Sequence, residues 1–311
     1  RAAFAIGEGL KAVGPQLDDF YDRLVKIRDT MAKKMGYKDF IELGYYRMGR
    51  VDYNEKMVAG FRENVRKYLV PCVTKLKKEI ADDLGLDRVT FYDDAVYVKG
   101  EIPRPMLDKA GIFDEAQKMY DDMSSDIGAF MREMREAEAF DVDSRDGKWG
   151  GGYCTCFPKE KQPFILANFN GGSGDIDVIT HEFGHAYAAY NVFRYGDEEL
   201  DVGGMETAEC HSMSMEFLCW PGMGRFFAEP DKYRYTHLCS ALSFIPYGVI
   251  VDEFQHIAYA HPEYTPEERK AAYRELEAKY RPYLDWAGIP YLEEGTRWQY
   301  QMHIFESPFY Y

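Results

Sequence analysis

Apolar positions along the first half of the chain recur at helical spacing. Leu17, Phe20, Leu24, Ile27 and Met31 step by three and four residues and predict a helix with this stripe facing inward. Gly36 lies just beyond it as a C-terminal cap. Met57, Phe61, Val65, Leu69, Val73, Leu76 and Ile80 predict a longer helix starting near Asn54. Pro71 is expected to kink it, because proline removes a backbone donor. Met119, Met123, Ile127, Phe130 and Met134 predict a third helix, whose acidic outward positions read as a solvated face. The strand candidates are short and rich in aromatic or β-branched residues: 94–99, Tyr153–Phe157 and Pro163–Phe169, the last two separated by a hairpin-like loop. Asn170-Gly-Gly-Ser-Gly174 closes the last strand, and Asp175 is a suitable N-cap for a helix running through Tyr190. The pattern predicts a mainly α architecture, with a small antiparallel sheet placed ahead of one particular helix. No internal repeat or low-complexity tract interrupts it.

Composition narrows the partners. With 46% hydrophobic and 29% charged residues over 311 positions, the chain is of globular composition rather than disordered. A formal net charge of −15 disfavours nucleic acid and anionic membranes as partners. No apolar run approaches the roughly 18 residues of a membrane span, and residues 1–14 lack the pattern of a secretory leader. The six cysteines are too few and too scattered for a disulfide framework at this length, and Cys154-Thr-Cys156 lacks zinc-finger spacing. Reduced thiols and a cytoplasmic location are expected. The abundance of Tyr, 25 residues, fits either an aromatic-lined cleft or a Tyr-rich core.

The helix after Asp175 contains His181-Glu182-Phe183-Gly184-His185, the His-Glu-x-x-His pattern. Residues four apart on a helix lie about 40° apart around the axis and one turn apart along it, so both imidazoles reach one ion. Glu182 lies on the neighbouring part of that face, where it can act on a water without being a ligand. Zinc suits such imidazoles and keeps a position open in catalytic sites, but it needs a third protein ligand. The next predicted helix offers Glu206, Glu209 and Glu216, which share one face; spacing alone does not choose among them. His211 is about 200° from Glu209 and less suited.

In this region the sequence resembles the oligoendopeptidase F group of the M3 zinc peptidases, which also include thimet oligopeptidase and neurolysin. The resemblance rests on Thr155, Pro163-Phe-Ile-Leu-Ala-Asn-Phe-Asn-Gly171, Ser173-Gly-Asp175 and Thr180-His-Glu-Phe-Gly-His-Ala186, with upstream support from Gly36-Tyr-Lys-Asp-Phe40 and Glu42-Leu-Gly-Tyr-Tyr-Arg-Met-Gly-Arg50. It spans about Phe20 to Tyr311 and implies an α+β, zincin-like fold. It implies that Glu209 is the third ligand, with Glu216 as an outer partner and Glu206 as the fallback or a second outer partner. It also implies that His303 and Tyr310, near the C-terminal Phe309-Tyr310-Tyr311, face the zinc across the cleft. The chain is then expected to be a single M3 catalytic domain, a helical part over 1–140 followed by a zinc-binding part over 141–311, within a longer protein.

The chemistry expected from these residues is hydrolysis of internal bonds in short oligopeptides with one zinc per chain. Glu182 serves as general base and then acid. His303 and Tyr310 donate hydrogen bonds to the developing oxyanion, and the edge of 164–169 pairs with the extended substrate. Two other readings accommodate the same motif: a zinc carboxypeptidase, and a metal-stabilised binding domain without turnover. An intact Glu182 argues against the latter. Oligomeric state, cleavage preference and physiological substrate are not encoded in any pattern described above.

Overall fold

Helix α1 spans Ala2–Lys34 in the computed structural model, which describes residues 1–196 and 204–311. Gly36, with φ of 87°, follows its end as expected. The face α1 buries is not the predicted one. Tyr21, Val25, Arg28 and Ala32 turn inward, while Phe20, Ile27 and Met31 are exposed at 48%, 56% and 41%. Specific partners decide this choice. The Arg28 guanidinium donates to the Tyr259 hydroxyl at 2.9 Å and to the carbonyls of Ile304 and Phe305. Tyr21 packs its ring against Phe254, Trp298 and Phe305. A hydropathy stripe ranks Arg28 as an outward residue, but an arginine whose guanidinium donates to buried carbonyls and a hydroxyl can be buried.

The described residues divide into two units, Arg1–Lys99 with Leu238–Tyr311, and Gly100–His237. The first unit also contains α2 (Phe40–Arg47), α3 (Glu55–Asn64) and α4 (Val70–Leu84). Asn54 caps α3 by accepting from the amides of Lys56 and Met57. The disturbance expected from Pro71 takes the form of a wide π-helical turn at Val65–Leu69 between α3 and α4. Widening the spiral there accommodates the missing N–H and the ring one turn downstream. The segment 94–99 is not a strand. The Asp94 backbone carbonyl and carboxylate both bind the Lys77 ammonium, and the carboxylate also pairs with Arg281, which holds the segment in turns. The small sheet of this unit pairs β1 (Val89–Thr90) in parallel with a strand at Leu284–Asp285.

The second unit carries α5 (Lys109–Met123) and α6 (Ser125–Glu136). The sequence pattern reads these as one helix. Ser124 takes an extended conformation and its hydroxyl accepts from the Asp126 amide, which ends one helix and starts the next. Three strands follow: β2 (Phe140–Asp141), β3 (Tyr153–Phe157) and β4 (Gln162–Leu166). The predicted antiparallel hairpin is β3–β4, and β2 joins β4 on its other side in parallel. Strand β4 is therefore central, with β2 and β3 as the outer strands. This corrects the expectation that 164–169 presents an edge for pairing. Helices α7 (Gly174–Tyr195) and α8 (Met205–Leu218) follow the sheet. Their core includes Phe183, which stacks on Tyr120 with centroids 4.1 Å apart.

The remaining helices are α9 (Pro230–Ala260), α10 (Pro266–Tyr280) and the short α11 (Met302–Glu306). Thr265 and Glu268 form a reciprocal capping box at the start of α10. Among the described residues, no helix is long and apolar enough to cross a membrane, and no cysteine is in a disulfide.

Candidate active site

The approach to α7 is fixed by a turn. Asp175, expected as the N-cap, lies inside the helix and folds its carboxylate back onto the amides of Asn170, at 3.0 Å, and Gly171, at 2.8 Å. Gly171 has φ of 79°, a conformation that costs glycine little. The helix then presents His181 and His185 on one side. Gly184 between them explains how α8 comes close enough to contribute. A Cβ at this position would sit 2.7 Å from both the carbonyl oxygen of His211 and the Cα of Ser212. Glycine removes that barrier, so the two helices pack nearly backbone to backbone.

Three predicted ligands meet as a result. One carboxylate oxygen of Glu209 lies 3.0 Å from Nε2 of His181 and 3.4 Å from Nε2 of His185. A ligand atom from each of these residues falls within 4.8 Å of the others, and this is the one such group among the described residues. Ser212, fully buried, donates to the same Glu209 oxygen at 2.6 Å. His181 Nδ1 lies 2.6 Å from Oε1 of Glu216, and His185 Nδ1 lies 3.0 Å from Nε2 of His211. Each ligand imidazole is thus engaged through Nδ1 and directs Nε2 to the common point, the arrangement usual for metal-binding histidines.

The charge distribution favours a cation there. Burial lowers the pKa of His181, but hydrogen bonds to Glu209 and Glu216 outweigh it and bring the value up to about 10. His181 and His185 in turn hold the Glu209 carboxyl far below the usual range. Two imidazoles and a carboxylate with an open side form a donor set that fits zinc. Glu182 is not part of this group. It is buried, which pushes its pKa up, and it accepts from the backbone N–H of Cys154 on β3. The same cysteine thiol is held in its neutral form by its interaction with Cys156.

The peptidase family M3 sequence pattern matches residues 113–311, a stretch that contains the sheet, α7 and α8. This chain belongs to peptidase family M3. PZ peptidase A, solved with an inhibitor, is 46% identical over 100% of this chain and 56% of its own, with a TM-score of 0.96. A protein provisionally described as oligoendopeptidase F is 45% identical over 97% of this chain and 54% of its own, with a TM-score of 0.93. Another so described, from Bacillus anthracis, is 44% identical over 93% and 53%, with a TM-score of 0.83. The M3 chain therefore spans about half the length of the solved relatives it matches. Among curated proteins there is no match.

The other predicted residues of this M3 chain fall as follows. Glu216 joins the site through His181, whereas Glu206, in the first turn of α8, is exposed and outside the three-ligand group. His303 and Tyr310 belong to the first unit, with ring centroids 4.2 Å apart, and Gln301 bridges His303 Nδ1 and the Tyr311 hydroxyl. Sequence reasoning missed His237, Trp220 and Ser212 and saw His211 only as a poor ligand. Ser212 follows Glu209 by three residues and is legible in retrospect as a same-face donor. His237 carries no such signal, because it comes from α9.

Proposed function

We propose that this chain carries the catalytic centre of a zinc-dependent endopeptidase acting on short peptides. The convergence of His181, His185 and Glu209 beside the buried Glu182 carries this reading. Zinc, when bound, supplies Lewis-acid polarisation of a carbonyl and acidifies water. His181 and His185 would hold it through Nε2, and Glu209 through the oxygen that Ser212 steadies. Glu182 takes the proton of the attacking water and returns it to the leaving amine. Its burial strengthens it as a base. An extended peptide would pair with β3, the outer strand next to Glu182, since both sides of β4 are occupied. By resemblance to the family, we assign hydrogen-bond donation at the reacting carbonyl to His303 and Tyr310. The cysteines, none in a disulfide, support a reducing, cytoplasmic setting.

An internally quenched peptide blocked at both ends tests the reaction class. Cleavage at an internal bond, abolished by a chelator and restored by zinc, is expected. An intact blocked peptide, with C-terminal trimming of free ones, would instead establish a carboxypeptidase. In the same assay Glu182→Gln should retain one zinc and lose about 10²–10⁴-fold in kcat. Near-normal turnover by that variant rejects the general-base role.

A further inference from the structure

We infer that His237, held by Trp220, is a positioning residue for the metal centre: it locks Glu216 and, through Glu216, the tautomer and orientation of His181. The inference rests on the proposed zinc site but concerns residues outside the ligand set.

The direction of every link follows from its first member. The indole N–H of Trp220 can only donate, and it lies 3.2 Å from Nδ1 of His237. That nitrogen must accept and therefore carries no proton. The proton of the neutral ring is then on Nε2, which lies 2.5 Å from Oε2 of Glu216 and donates to it. The other oxygen of Glu216 faces Nδ1 of His181 at 2.6 Å and takes the N–H of that ring. With zinc bound, His181 would then offer the lone pair of Nε2 to the metal; without it, the same nitrogen donates to the Glu209 carboxylate at 3.0 Å. Reversing any link would place two donors or two acceptors face to face.

The surroundings hold the His237 ring in this orientation. Its side chain is 8% exposed. The Tyr233 ring stacks on it with an interplanar angle of 19°, and Phe217 approaches edge-on with centroids 5.0 Å apart. The Tyr233 hydroxyl is spent on Asp177 at 2.5 Å and does not compete for His237. Without His237, Glu216 would keep one half-buried oxygen unpaired and could rotate away from His181. Outer partners of metal-binding histidines matter because they fix the ring and its tautomer.

The test is zinc affinity of the metal-free chain, measured by competition with a chromophoric chelator, with circular dichroism as the check on folding. The unaltered chain is expected to bind one zinc. His237→Phe keeps a packed ring without the N–H and should bind about 10–100-fold more weakly. His237→Gln restores an N–H donor near the position of Nε2 and should recover most of the loss. Trp220→Phe, which frees the tautomer but leaves His237 in place, should fall between. A folded His237→Phe with unaltered affinity overturns the inference, as does a Gln variant no better than the Phe variant. If His237→Phe does not fold, Trp220→Phe decides: unchanged affinity overturns the proposal and weakened affinity supports it. Failure of the unaltered chain to bind zinc rejects the metal site itself and this inference with it.

Discussion

Glu209 and Glu206 are one helical turn apart on α8, and only Glu209 has an oxygen that both His181 and His185 approach. Glu206 is exposed in the first turn. Replacing each with Ala therefore separates ligand from bystander. Glu209→Ala should lower zinc affinity by more than the roughly 10–100-fold typical of losing an outer partner, and Glu206→Ala should leave it within a few-fold of the parent. Metal content of the two purified variants checks this, and a more severe Glu206 variant would reverse the assignment. At this scale the two histidines and Glu182 were legible because their spacing is local to one helix. Spacing did not choose the carboxylate, since three glutamates on one face differ only in what lies opposite them; the family resemblance alone pointed to Glu209.

Close packing of α7 against α8 depends on one missing side chain. The atoms that would meet a Cβ at Gly184 are mostly backbone, which cannot swing aside. Gly184→Ala is expected to push α8 outward and cost about 1–3 kcal/mol of stability, the usual range for overpacking. It should also weaken zinc binding, because Glu209 and Glu216 both ride on α8. Thermal melting with a parallel zinc titration measures both effects; an unshifted midpoint with normal affinity would show that the helices have room to spare. Element boundaries followed local chemistry where a cap or a proline marked them, as at Asn54 and Pro71. The helix break at Ser124 escaped a purely apolar pattern, because Met119 through Met134 stays in phase across it.

Over the whole molecule, each of the two units has its own apolar core, and the first also contains a buried ionic cluster. Asp94 pairs with Lys77 and Arg281, whose side chains are 1% and 3% exposed. Burial raises the Asp94 pKa, but Arg281 and Lys77 outweigh it and set the folded value below the ordinary one. A depressed folded pKa means that the stabilisation is complete above the unfolded value, near 4, and disappears as pH falls through the folded value. Asp94→Asn should destabilise by about 3–5 kcal/mol at neutral pH, since it strips the buried Lys77 of its carboxylate partner, while Arg281 keeps Glu277. Urea unfolding of parent and variant should show that gap narrowing in acid. A gap that stays constant down to strongly acidic pH would mean the carboxylate is not the group responsible.

The amino-acid sequence by itself determined the α7 motif, the β3–β4 hairpin and the predominance of helix, because each depends on neighbours within a few residues. Tertiary structure alone decided which face of α1 is buried, that Ser212 steadies the Glu209 carboxylate, and that Trp220 and His237 stand behind Glu216. The physical reason is the same in all three cases. Burying Arg28 or His237 is favourable only when distant atoms satisfy its hydrogen bonds, and those atoms come from segments far along the chain that no local periodicity records.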